Sequence, residues 1–213
     1  MLELKVIEHL LAFGAGFMLS VAIIELLPQA FARSGAIAPA LVLVGYLAVH
    51  LTQHTVTPHF HFGEETHTIT PIAGTSALVG LLLHTFFDGV AIASAFLVGP
   101  SLGFMVFIAI LLHKLPEGVT ISSIMMAGGR SRGRAIGAAT LLGIATLLGV
   151  VLTDHVGFLV QHGLAIAAGV TIYVAASNLV PELQGKRGWT LPAAFFAGAA
   201  VFFATKLLLD STA

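Results

Sequence analysis

The chain contains no cysteine, so disulfides, thiolate zinc sites and thiol nucleophiles are excluded, and any metal chemistry must use histidine and carboxylates. Charge is nearly as scarce. Asp, Glu, Lys and Arg make up 9% of the 213 residues, with 9 basic against 10 acidic side chains, so there is no basic excess to bind nucleic acid. With 57% hydrophobic residues and a mean hydropathy of +1.01, an ordinary soluble protein is excluded as well, and the chain belongs in a membrane. Against that background, ten histidines are the compositional oddity.

A helix needs roughly 20 apolar residues to cross the hydrocarbon. Long apolar runs bounded by Gly, Pro and charges fall at about 10–32, 36–53, 72–97, 101–127, 135–153, 158–180 and 189–209. They predict an all-α polytopic membrane bundle of seven spanning helices, forming one integral-membrane domain over residues 1–213. Only one connection, about 54–71, is long. Lys5, Arg130, Arg132, Arg134, Lys186 and Arg187 fall on the N-terminal side of these spans, and Arg33 and Lys206 on the other. The positive-inside rule then makes the N-terminus and the His-containing loop 54–71 cytoplasmic. Ala30, Phe31 and Ala32 look like a signal-peptide cleavage site, but Glu3 and Glu8 outweigh Lys5, and Glu25 and Pro28 lie within the run.

Sliding the chain by 153 residues brings Ala12, Ala15, Gly16, Val21, Ala22, Leu26 and Pro28 onto Ala165, Ala168, Gly169, Val174, Ala175, Leu179 and Pro181. The counted spans give the twins opposite orientations, the inverted repeat of a transporter. A shift of 29 is sharper: His84, Asp88 and Gly89 fall on His113, Glu117 and Gly118. On a helix, His and an acid four residues apart share a face, and two such faces offer four ligands, the number a tetrahedral zinc site uses.

Depth adds an independent constraint. With Pro100 as the turn, Asp88 and His113 lie about equally far from it, and so do His84 and Glu117; at about 1.5 Å per residue all four come near the midplane. Ionisable groups there cost several kcal/mol each and mark ion paths. Pro116 is expected to kink its helix and free the carbonyl of Leu112.

At these residues the sequence resembles the ZIP (Zrt-, Irt-like protein) family of divalent metal transporters, whose fourth and fifth helices carry His-Asn-x-x-acid-Gly and His-x-x-Pro-Glu-Gly motifs. Residues 14–28 and 168–182 are similar to the family's second and seventh helices, so the likeness covers nearly the whole chain. It implies an eight-helix fold in which the first three helices are related to the last three by an inverted repeat, around a central two-helix metal-binding hairpin, with a cytoplasmic, often His-rich loop after the third helix. No first family helix precedes residue 10, so a seven-helix version, or a chain lacking that segment, is expected. Thr85 stands where many members have Asn, and Lys114 where binuclear members place a ligand to a second metal. A protonated Lys cannot bind metal, so one ion is inferred. Lys114 then either takes the electrostatic place of the second cation or merely pairs with Asp88 or Glu117. Lys114 and Thr85 are thus site modulators.

The chain is therefore expected to move divalent transition metal towards the cytoplasm across the plasma (inner) membrane. Zn²⁺ is the foremost cargo, with Fe²⁺, Mn²⁺ or Cd²⁺ also suited to two His and two carboxylates, and a homodimer is a candidate assembly. His84, Asp88, His113 and Glu117 are the candidate metal ligands. His59, His61 and His67, with His54, Glu64 and Glu65 nearby, offer weaker loop metal sites, or are simply a polar linker. Glu25 and Asn178, equivalent in the 153-residue repeat, line vestibules or sit among headgroups. An intramembrane metalloenzyme and a metal-sensing, non-transporting paralogue are the alternatives. Against the first, no His-Glu-x-x-His motif is present and no nucleophile stands out, and no enzyme is expected.

Overall fold

The structure is a computed structural model that describes residues 2–55, 71–181 and 188–212. Among these residues the regular structure is entirely helical. Helix α1 (Leu2–Val21) runs through a π segment, Ala22–Leu26, into α2 (Leu27–Ser34). A 3-10 turn at Gly35–Ile37 leads to α3 (Ala38–Thr55). Then come α4 (Pro71–Val98), α5 (Pro100–Ala127), α6 (Arg132–His155) and α7 (Gly157–Ile172). A second π segment, Tyr173–Leu179, and α8 (Thr190–Thr212) complete the order. Apart from the start of α1, eight residues before the first run, these bounds lie within a few residues of the apolar runs.

The breaks have local causes. Gly35 adopts φ 56°, a left-handed value that costs glycine little, and its N–H closes the end of α2 on the Phe31 carbonyl. Gly99 alone separates α4 from α5, and Pro100 takes the first position of α5, where its missing N–H is no loss. Ser131 caps α6, its hydroxyl accepting from the Arg134 N–H at 3.5 Å. The π segments precede Pro28 and Pro181. Neither proline can donate to the carbonyl four residues back, and the turn widens instead: Leu27 N–H reaches Ala22 O, and Val180 N–H reaches Ala175 O. Those two bonds are 153 residues apart. Pro116, by contrast, sits inside an unbroken α5.

Six helical stretches among the described residues are long and apolar enough to cross a membrane. The first, Glu8–Thr52, is 45 residues long, and it contains both of the first two runs expected from sequence. Outward-facing Leu147, Phe196 and Leu207 are more than 60% exposed, as befits helices solvated by lipid. The closest pairings are α1 with α8, α3 with α7, and α4 with α6. Each is a reciprocal glycine crossing. Gly16 faces the Phe195 carbonyl and Gly198 that of Phe13; Gly45 faces Ile166 O and Gly169 faces Val42 O; Gly89 faces Thr146 O and Gly149 faces Phe86 O. Lipid supplies no hydrophobic drive between helices, so such backbone contact is a main source of attraction. The 153-residue shift carries Gly16 onto Gly169 and Gly45 onto Gly198, exchanging the first two crossings.

A methyl group at one of these crossings has nowhere to go. Gly169→Ala, whose Cβ would overlap the Val42 carbonyl, is expected to lower stability by about 1–3 kcal/mol. Gly137→Ala, in open space on α6, should be neutral or stabilising by up to about 1 kcal/mol. Thermal unfolding of both variants in detergent checks the pair; equal melting temperatures would contradict the packing described.

Candidate metal centre

Because one residue joins α4 to α5, the two helices run back along each other, and residues nearly equally far from Pro100 meet. Asp88 and His113 form one such pair, with Oδ2 to Nε2 at 3.5 Å. His84 and Glu117 form the other, with Nε2 to Oε1 at 3.8 Å. Along α4 itself, His84 Nε2 lies 3.7 Å from Asp88 Oδ2. The Gly89–Gly149 crossing seats α4 on α6 immediately beside Asp88. All four side chains are buried, and one ligand atom from each lies within 4.8 Å of the other three.

The chemistry of this set can be read from its hydrogen bonds. His113 Nδ1 donates to the Ala109 carbonyl at 3.1 Å, which places a ring proton on Nδ1; in the neutral ring the Nε2 lone pair is then the one free to bind a metal. His113 Nε2, His84 Nδ1 and Glu117 Oε1 are buried without a hydrogen-bond partner. Unsatisfied buried polar atoms are costly, and an ion bound by His113 Nε2 and Glu117 Oε1 would satisfy two of these three. Four donors around one tetrahedral zinc lie roughly 3.3–3.5 Å apart, given ligand bonds of about 2.0–2.2 Å. The present separations, up to 4.8 Å, need adjustments of no more than about 1.5 Å.

Lys114 sits between the acids. Its Nζ is 2.7 Å from Asp88 Oδ2 and 2.9 Å from Glu117 Oε2, so it bridges both carboxylates rather than pairing with one. Thr85 is fully buried and donates to the Leu82 carbonyl one turn back at 3.1 Å. Its oxygen keeps lone pairs, but its proton is committed to its own helix.

On the Gly99 side of the centre, one continuous apolar cluster joins α1, α4, α5, α7 and α8, with Phe17, Ala95, Met105, Leu164 and Phe202 among its members. On the opposite side the core divides. Ile121 and Leu142 belong to one cluster, Val49 and Tyr173 to another. The centre is thus sealed by close packing towards Gly99 and flanked by two separate cores in the other direction.

The loop residues His59, His61 and His67, like Glu64 and Glu65, lie outside the described residues, as does the side chain of His54. His50 rests edge-on to Tyr173 with ring centroids 5.7 Å apart, and Tyr46 shares a 2.8 Å hydrogen bond with Ser177 in the second π segment. Asn178 lies in that same segment. Glu25 is buried in the first π segment and forms an ion pair with Lys206 of α8, not a headgroup-solvated helix end. The only sign of this pair in the sequence is two opposite charges at the same end of the first and last helices. Arg33, in sequence only a topological charge, reaches two backbone carbonyls on other helices; nothing local in the sequence marks that role.

No curated protein sequence matches the chain. The family model for the ZIP zinc transporter matches residues 63–206, which include the whole α4–α5 hairpin with its four buried candidate ligands. The chain belongs to the ZIP zinc transporter family, an integral-membrane family of divalent metal carriers.

Proposed function

We propose that this chain carries divalent transition-metal ions across the plasma (inner) membrane, zinc foremost, with His84, Asp88, His113 and Glu117 holding the ion midway and releasing it to the cytoplasm. Four buried ligand atoms within 4.8 Å of one another, on adjacent helices of an apolar bundle, carry this reading. Two imidazoles and two carboxylates also suit Fe²⁺, Mn²⁺ or Cd²⁺. The stretch Glu8–Thr52 makes two passes, folding back at Gly35, because 45 helical residues would extend about 65 Å, twice the hydrocarbon thickness. The chain then crosses seven times. The equivalent π segments and exchanged glycine crossings support an inverted repeat around the metal-binding hairpin, a frame suited to alternating access.

In this mechanism Lys114 stands in for a second cation. Its ammonium and the two carboxylates leave one net negative charge in the empty site and one net positive charge once a divalent ion arrives. Neither state exposes the bilayer to two unanswered charges. The incoming ion and the ammonium contend for Asp88 Oδ2, which keeps binding reversible. As the site opens to water, hydration and protonation of the ligands favour release.

In vesicles containing purified protein, zinc uptake should fall below about one tenth of the wild-type rate for His84→Ala, Asp88→Ala, His113→Ala and Glu117→Ala alike. Undiminished uptake in any of the four removes that residue from the site. Lys114→Ala should tighten metal binding by about tenfold or more, since a positive charge less than 3 Å from both acids is removed. Calorimetric titration reads this directly, and unchanged affinity and stoichiometry would dismiss the stand-in role while leaving the four ligands intact. For topology, a His61→Cys thiol in this cysteine-free chain should react with impermeant reagents only after the cytoplasmic face is exposed; labelling on intact cells would invert the orientation.

A further inference from the structure

The helices divide into two bodies by their contacts. Crossings Gly16–Gly198 and Gly45–Gly169 bind α1 to α8 and α3 to α7, and the π segments and α2 join those pairs into one frame. The second body is α4, α5 and α6, closed by Gly89–Gly149, and it carries the whole metal centre. The bodies meet chiefly where α4 lies on α7 and α5 on α1. The hydrogen bonds of Ser34, His162 and Tyr46 stay inside the frame, and those of Lys114 and Ser122 stay inside the site-bearing body.

Arg33 crosses between them. Held at the end of α2 by the Gly35 turn, its guanidinium donates through one nitrogen to the Val160 carbonyl of α7 at 3.3 Å and through the other to the Ser94 carbonyl of α4 at 3.4 Å. Ser94 itself is 1% exposed, and its hydroxyl has no hydrogen-bond partner. It lies against Gly163 of α7, where an added Cβ would stand 2.7 Å from Ser94 Oγ. This contact lies between the metal centre and Gly99, on the side where the apolar cluster seals the site. The closed interface therefore holds a buried hydroxyl that water would satisfy if the bodies parted there.

We propose that Arg33 is a latch: its two-carbonyl bridge holds α4 against α7 and keeps the Gly99 end of the transport path shut, and loss of the Ser94 bond lets that end open and hydrates Ser94. A guanidinium suits the task because two nitrogens of one rigid fork reach two acceptors on different helices, and its charge is never lost. The latch rests on the transport reading for its purpose, since a path shut at one end matters only if an ion passes, but not for its test.

The experiment uses the cysteine-free protein in lipid nanodiscs, where both faces are open to reagent. Ser94→Cys leaves the accepting carbonyl in place and puts a thiol at the seal. Its maleimide reaction should be slow with Arg33 present and about tenfold or more faster with Arg33→Gln, the shift expected when one charged hydrogen bond is lost. Arg33→Lys, with a single ammonium, should fall between. Leu142→Cys, buried among α4, α5 and α6 within the site-bearing body, serves as the control and should not change. Equal Ser94→Cys rates with and without Arg33 would overturn the latch, and so would a matching rise at Leu142→Cys, which would mark general loosening. If the rate responds to Arg33 while zinc uptake into vesicles is absent, the latch stands and the transport reading fails; if zinc is taken up while the rate ignores Arg33, the latch fails and the transport reading stands.

Discussion

Two carboxylates in the middle of an apolar bundle must have their charge answered from within the protein, because hydrocarbon offers neither water nor counterions. Asp88 and Glu117 set this requirement, and the surrounding features of the hairpin meet it. The single-residue turn at Gly99 brings each acid opposite a histidine, Gly89 lets α4 settle on α6 beside Asp88, and Lys114 places its ammonium against both acids. The histidines, held neutral or charged, complete a cluster in which each carboxylate has a partner. A bundle that solved this problem only by burying an ion pair would be static. This one leaves His113 Nε2 and Glu117 Oε1 without hydrogen-bond partners, and so retains an appetite for a cation.

The frame is built on a different principle. It holds few charges, and α1 with α8 and α3 with α7 are drawn together by glycine-to-carbonyl contact rather than by polar bonds. Such contacts are short, rigid and indifferent to hydration. The Glu25–Lys206 pair ties the first π segment to α8, again within the frame. Between frame and site-bearing body, the contacts among the described residues include the Arg33 bridge and the approaches of Gly163 to Ser94 and of Gly14 to Leu112.

Much of this is legible in the chain alone, for a physical reason. Apolar runs and the His-x-x-x-acid spacing are local patterns, and a hairpin with a one-residue turn converts distance from Pro100 into depth, so the meeting of Asp88 with His113 and of His84 with Glu117 follows from counting. The π segments are also within reach, since Pro28 and Pro181 fall at equivalent places in the repeat. Contacts between helices far apart in sequence are not. Arg33 looks like a charge at a helix end, and its reach to Ser94 and Val160 depends on how α2 lies across two other helices. Glu25 looks like a residue for headgroups, and its burial against Lys206 depends on α8 closing over the π segment. For Lys114 the spacing allows either one partner or a shared role; only the folded hairpin puts its ammonium within 3 Å of both acids.

The turn at Gly99 has one more consequence. A single residue between α4 and α5 gives the two helices no slack to separate, so the side chains on them cannot be pulled apart to weaken the site. On the transport reading proposed above, the pocket would therefore travel as one unit with its donors at fixed spacing, and water and protons on either side, rather than a change in ligand geometry, would set where the ion is released.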